Sequence, residues 1–276
     1  MIDEYVVGRP TGPAARWVHA YHGYRQLGVP PTLHLGLPSP YLTVIFTLDE
    51  PLQLLRHVDP RRSPGSYTAI VGGLHTSPAL VAHDGAQSGI QVLLDPLGSR
   101  AVLGLPAAEL AGIDVDATDV LGPAAGRILD QLHTATSWAD RFAVLDAGLC
   151  RFPAAGHSGH PVVADAWNGL RRSRGALPVD KLASVSGCSQ RYLAKIFQSE
   201  LGLTPKVAGR VIRFDGARRR LLGRGGTVAD TAAAAGYYDQ AHLDRDFRQF
   251  AGCSPTQWLA AEFRNVQDGG AAAAER

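Results

Sequence analysis

The sequence predicts an α+β protein, with a β-rich amino-terminal domain that also carries helices, followed by an all-α domain. Three observations predict it. Short β-branched and aromatic runs, punctuated by Pro, Gly, Asp and Ser, fill roughly the first hundred residues. Apolar residues then recur at helical spacing. Near the carboxy terminus, a short block repeats itself at an offset of 50 residues. With 276 residues and 45% hydrophobic content, the chain is long enough for about two packed domains and too apolar for wholesale disorder.

The strands come first. Tyr41–Thr47 is aromatic and β-branched, as a buried strand requires. Leu52–His57, Tyr67–Val71, Ala79–His83 and Ile90–Leu94 are further short runs, separated by Asp49-Glu50-Pro51, Asp59-Pro60, Gly72-Gly73 and Asp84-Gly85. Several short strands with frequent turns suggest a small barrel or sandwich. From about residue 98 the period becomes helical. Pro123–His133 keeps Ala124, Ile128, Leu129 and Leu132 near one face. Ser137 is a good N-cap for a helix carrying Phe142, Leu145 and Leu149 on a stripe. Those two stripes suit a homodimer contact or core packing equally. Pro153, Gly156, Ser158 and Gly159 then break the pattern. The expected organisation is residues 1–152 as a β-rich sensor domain, 153–160 as a linker, 161–267 as a helical domain and 268–276 as a disordered Gly- and Ala-rich tail.

Charge divides the chain in the same place. Residues 1–169 hold 10 Lys/Arg against 15 Asp/Glu, a balance of −5, while residues 170–267 hold 16 against 8, a balance of +8. A basic module attached to an acidic one points to a polyanion as the basic module's partner. The three cysteines, Cys150, Cys188 and Cys253, form no Cys-x-x-Cys. They fit a reduced, cytoplasmic protein. The amino terminus lacks a basic segment followed by an apolar run, and no stretch approaches 18 apolar residues, so neither a signal peptide nor a membrane partner is expected.

The repeat carries the functional argument. Adding 50 maps Gln190 onto Gln240, Leu193 onto Leu243, Phe197 onto Phe247, Gly202 onto Gly252 and Pro205 onto Pro255. Just upstream the offset is 49, with Ala183 over Ala232 and Gly187 over Gly236, so the second turn is one residue longer. In each copy a short helix ends in a small residue and a glycine supplies the turn. A capped second helix then buries a Leu and a Phe at i and i+4. This is the helix-turn-helix layout, whose polar second helix can enter a major groove. Gln190, Arg191, Ala194 and Lys195 point outward in the first copy, and Gln240, Ala241, Asp244 and Arg245 in the second. Thr227 and Asp230 form a capping-box-like pair at the start of the second copy. Between the copies, Lys206–Leu222 carries Val207, Val211, Phe214 and Leu221 as an apolar stripe. It displays Arg210, Arg213, Arg218, Arg219 and Arg220. At ~1.5 Å per residue this helix spans about 26 Å, a reach suited to two recognition helices in major grooves roughly 34 Å apart.

The stretch from Val228-Ala229-Asp230 through Ala235-Gly236-Tyr237-Tyr238-Asp239-Gln240-Ala241-His242-Leu243 to Phe247-Arg248-Gln249-Phe250 and Gly252-Cys253-Ser254-Pro255 resembles the AraC/XylS family of regulators. The resemblance implies sequence-specific binding to double-stranded DNA and transcriptional regulation. It implies an extra helix at Pro161–Arg172. It puts base-reading positions at Gln190, Arg191 and Lys195, and at Gln240, Ala241 and Arg245. Arg213 and Arg219 are expected to meet phosphates. Tyr237 stands where many members have Phe, and Asp244 and Asp246 make the second recognition helix the less basic one. Gly36–Thr43 and Ala82–Gly85 resemble the cupin-like sensor region that precedes some such modules, which implies a small-molecule effector.

The main alternative is a cupin-like metal-dependent enzyme with a helical appendage. Nine of the ten histidines precede residue 161, but they show no His-x-His pair or acidic partner at ligand spacing; His19-x-x-His22 and His157-x-x-His160 stand alone. Gly156-His157-Ser158-Gly159-His160 misplaces the last glycine of a nucleophile elbow, and no dinucleotide or Walker A fingerprint is present. No cofactor, metal or catalytic residue is therefore expected. A third class, a protein-interaction module for an acidic partner, predicts no preference among DNA sequences.

Overall fold

In a computed structural model, the structure describes residues 1–149, 159–223 and 226–267. Most of the expected linker, together with Cys150, His157 and the tail, lies outside the described residues. The strands are β1 (Ile2–Gly8), β2 (Val18–Leu27), β3 (Thr32–Gly36), β4 (Leu42–Thr47), β5 (Leu52–Arg56), β6 (Gly65–Tyr67), β7 (Ala69–Gly72), β8 (Ala79–His83), β9 (Ala86–Leu94) and β10 (Asp114–Asp116). They form a six-stranded sheet in the order β1-β2-β9-β4-β7-β10 and a four-stranded sheet in the order β3-β8-β5-β6, with antiparallel pairing throughout. The α-helices are α1 (Ser99–Leu103), α2 (Ala117–Leu121), α3 (Pro123–Thr134), α4 (Trp138–Gly148), α5 (Pro161–Arg172), α6 (Val179–Val185), α7 (Gln190–Leu201), α8 (Pro205–Leu222), α9 (Val228–Ala234), α10 (Gln240–Phe250) and α11 (Pro255–Gln267). The protein is thus α+β, with antiparallel sheets first and a helical domain last.

Alternation along the strands assigns the two faces of the large sheet. Leu42, Val44 and Phe46 of β4, Val71 of β7, and Ile90, Val92 and Leu94 of β9 point into the main core beneath the helices. Ile45 and Ile70 point the other way and meet Leu52, Leu54 and Val81 of the small sheet in a separate cluster. On α3, Ala124, Ala125, Ile128 and Leu132 are buried, as is Leu145 of α4. Core packing therefore uses the stripes that had also suited a dimer contact. Ser137 caps α4 as its sequence implies, accepting from the Asp140 backbone N–H.

Three features of the sheets differ from the expectation. β1, β2, β3 and β10 lie outside the expected strands, β9 begins four residues before Ile90, and Tyr67–Val71 is divided between β6 and β7 of different sheets. A cleft of about 600 Å³ opens beside the small sheet, lined by Tyr24, Leu33, Leu52, Val81, His83 and Gln87 among others. Among the described residues no helix is long and apolar enough to cross a membrane. No group of three or more His, Cys, Asp or Glu residues among them stands within metal-holding reach.

Candidate nucleic-acid interface

The two repeats fold as the same unit. α6 and α7 form the first, α9 and α10 the second. Each turn contains a glycine in the left-handed region, Gly187 at φ 63° and Gly236 at φ 79°, where a side chain would be strained. Each turn is closed by an equivalent bond: the Cys188 N–H donates to the Ala183 carbonyl at 3.0 Å, and the Tyr237 N–H to the Ala232 carbonyl at 2.9 Å. Each second helix has a side-chain N-cap. Ser189 accepts from the Tyr192 N–H at 3.2 Å, and Asp239 from the His242 N–H at 2.7 Å. The capping box of Thr227 and Asp230 is formed at the start of α9. Leu193 and Phe197 are buried on α7, as are Leu243 and Phe247 on α10.

With the apolar face fixed inward, the opposite face is set. Gln190, Arg191 and Lys195 are exposed on α7, and Gln240, Ala241 and Arg245 are exposed on α10. At 3.6 residues per turn each trio covers an arc of about 140° at the amino-terminal half of its helix. The structure therefore brings each trio together on one open face. Arg245 lies along its helix, its Nε donating to the Ala241 carbonyl at 3.2 Å. Ala194 and Asp244 occupy equivalent, half-buried positions beside these residues.

α8 is capped by Thr204 and starts at Pro205, one residue before the expected start at Lys206. Its 18 residues give a length of about 27 Å. Of the five arginines expected on display, three make ion pairs. Arg210 donates to Asp246 Oδ1 at 2.6 Å and to Gln249 Oε1 at 2.6 Å, with its guanidinium 5.0 Å from the centre of the Phe250 ring. Arg218 and Arg219 both donate to the buried Asp215 carboxylate, at 3.1 and 2.6 Å. Arg213 is half-buried, 5.6 Å from the centre of the Tyr237 ring. Of the two α8 residues expected to meet phosphates, Arg219 is exposed but ion-paired and Arg213 is partly covered. Lys206, Arg220 and Arg248 are exposed and make no ion pair among the described residues.

Tyr237, which stands where many members of the resembled family have Phe, is packed in the second unit's core. Its buried hydroxyl donates to Asp246 Oδ2 at 3.2 Å, so the carboxylate that holds Arg210 also satisfies this phenol. Burial, and next the Asp246 charge, push the Tyr237 hydroxyl to a higher pKa. The extra residue in the second turn is Tyr238, which is 94% exposed. The one-residue change of offset was the sequence signal for it, but nothing there revealed its exposure.

The helical domain is joined to the sheets by specific contacts. Arg171 of α5 lies 4.7 Å from the centre of the Tyr41 ring and donates to its hydroxyl at 2.8 Å, while His19 stacks on the other part of that contact at 4.7 Å. Arg100 of α1 donates to Glu200 of α7 at 3.0 Å.

A chain with two such units around one linking helix is defined by its fold as a tandem helix-turn-helix protein. Residues 182–261 match the family model described as "Helix-turn-helix domain". The transcriptional activator NphR of Rhodococcus sp is 35% identical over 79 residues, a match covering 29% of this chain and 23% of that protein. The aligned segment thus spans about a quarter of the length of that curated relative. Among solved structures, the C-terminal domain of AraT, a response regulator from Geobacillus stearothermophilus, is 25% identical, covering 37% of this chain and 85% of that one at a TM-score of 0.35. ToxT from Vibrio cholerae is 9% identical, covering 87% of this chain and 96% of that one at a TM-score of 0.49. Residues 182–261 thus carry a helix-turn-helix domain similar to that of a transcriptional activator.

Proposed function

We propose that the protein is a sequence-specific transcriptional regulator that grips one face of duplex DNA with α7 and α10 and responds to a small effector. The observation that carries this reading is the pair of capped helices that bury the same Leu and Phe and leave polar trios exposed. Arg191 and Arg245 suit bidentate bonds to guanine, and Gln190 and Gln240 suit adenine, each worth roughly 1–3 kcal/mol of discrimination. Lys206, Arg220 and Arg248, with Arg213 and Arg219 where DNA competes for them, supply phosphate contacts that carry no sequence information. The segment 1–152 acts as the sensor, 161–267 as the reader, and the cleft beside the small sheet takes the effector. Its walls combine Leu33, Leu52 and Val81 with Tyr24, Glu50, His83, Asp84 and Gln87, a site of mixed apolar and polar character. A second copy of the chain and a cytoplasmic setting belong to the same reading. No catalytic step does.

Selection of bound duplexes from a random pool tests it. A defined motif should emerge, and Arg191→Ala and Arg245→Ala should each relax preference at one position by about tenfold. Unaltered preference in both variants would remove α7 and α10 as the reading helices.

A further inference from the structure

We infer that Tyr238 is a DNA-backbone anchor that only the second unit possesses, its ring packed on a deoxyribose and its hydroxyl donating to a phosphate beside the groove that α10 enters. The inference rests on the DNA-binding reading above and adds to it a contact outside the recognition helix.

The two turns can be compared atom by atom. In the first, Cys188 makes the closing backbone bond and the next residue, Ser189, is the N-cap. In the second, Tyr237 makes the equivalent bond, and one residue intervenes before the Asp239 cap. That residue is Tyr238. Tyr237 beside it turns inward and is 5% exposed, whereas Tyr238 is 94% exposed and has no hydrogen bond or ring contact among the described residues. The added residue therefore contributes nothing to the turn's own closure or to the core of its unit.

Its position is continuous with the exposed trio of α10, two residues before Gln240 and three before Ala241. Residues just ahead of a recognition helix lie where the duplex backbone borders the major groove. A tyrosine suits that place, since phosphate oxygens accept from hydroxyl donors and sugar faces accept an aromatic ring. The local chemistry also explains a need for it. Asp239 and Asp244 flank the trio, Arg245 is the trio's one cation, and Asp246 on the same helix is neutralised by Arg210. The first unit places Arg191 and Lys195 on the equivalent face with Ala194 in place of Asp244. A neutral donor next to the second helix offsets its weaker attraction to phosphate.

The test uses the full chain and a duplex obtained by selection with the wild type. Tyr238→Ala should bind that duplex about tenfold more weakly, the effect of one lost hydrogen bond to a charged group. The same loss should appear on scrambled duplexes, with base preference intact. Tyr238→Phe should fall between, and it carries the test if the alanine variant fails to match the wild-type melting curve. Neutral methylphosphonate at one phosphate beside the second half-site should weaken the wild type and leave Tyr238→Ala unchanged. Wild-type binding by Tyr238→Ala, with Arg245→Ala still relaxing preference, overturns the anchor alone and leaves Tyr238 for a protein partner. Unaltered preference in Arg191→Ala and Arg245→Ala overturns the reading helices and the anchor with them.

Discussion

The two helix-turn-helix units share a local code and differ in what lies behind them. Leu182, Leu193, Phe197 and Leu201 of the first unit belong to the same apolar core as Trp167 of α5 and Val44, Phe46, Ile90 and Val92 of the large sheet. Leu243, Phe247 and Phe250 of the second form a separate core with Phe214 and Trp258, against which Leu37 packs from the amino-terminal domain. α8 serves both, giving Ala208 and Ile212 to one and Val211, Phe214, Ala217 and Leu221 to the other. Equivalent closing bonds thus set the shape of a unit, while the residues behind the helix decide what holds it. The first unit is held by α5, α8 and the segment Ala107–Leu110, and so shares a core with the amino-terminal domain, while the second is held chiefly by α8. A change in the sheets has a packed route to α7 and reaches α10 through one helix.

The largest effect expected from this difference comes from removing one aromatic ring in each core. Truncation of a buried Phe costs about 3–5 kcal/mol. Phe247→Ala should melt the second unit in its own, earlier calorimetric transition while the rest keeps its melting temperature. Phe197→Ala should lower the transition that the sheets share. A single common transition for both variants would erase the distinction between the units.

That distinction was not legible in the sequence, although each unit was. N-caps, glycine turns and i, i+4 apolar pairs are short-range, so Ser189, Gly187, Leu193 and Phe197 could be read in place. The outward face then followed from helical period alone, which is why Gln190, Arg191, Lys195, Gln240, Ala241 and Arg245 could be located. What stands behind a helix depends on contacts distant in sequence. Arg210 and Asp246 are 36 residues apart, and their bond takes Arg210 out of the open cationic face. Asp215 and Arg219, at i and i+4, were the exception, a pair that spacing alone offered. The missed strands have a similar cause. β1 carries Asp3 and Glu4 on an exposed edge, and β2 is interrupted by Gly23, whose missing side chain makes room for the Trp138 ring; a Cβ there would lie 2.6 Å from Trp138 Cε3. The glycine is a docking notch for α4.

A smaller effect separates the units at Asp246. The first unit has Ile196 at the equivalent position, half-buried and packed against the main core. In the second, Asp246 is 1% exposed and accepts from both Arg210 and Tyr237. Asp246→Asn keeps the volume and removes the charge, leaving the half-buried Arg210 guanidinium without its counter-ion. The expected cost is about 2–3 kcal/mol, taken from the second unit's transition alone. Equal loss in both transitions would mean that α8 couples the two cores more tightly than their separate packing suggests.

The smallest effect concerns pH and the contact between α5 and Tyr41. The His19 ring lies on Tyr41, with Arg171 beside it and Arg219 and Asp215 of α8 nearby. Partial burial first, then Arg171 and Arg219, lower its pKa below 6.5, while Asp215 opposes the shift. A depressed histidine is harder to protonate folded than unfolded. Its contribution is therefore fully present above pH 6.5 and fades as pH falls through that value towards the lower folded one. His75 and His83 are also depressed, chiefly by burial, so His19 supplies only part of the acid sensitivity. Melting of the transition shared with the sheets should drop between pH 7.5 and 5.5, and His19→Gln should flatten that drop in part. The second unit's transition carries less of the change because its core contains none of these three residues. An equal pH slope in both transitions, unaffected by His19→Gln, would show that the contact around Tyr41 does not distinguish the units.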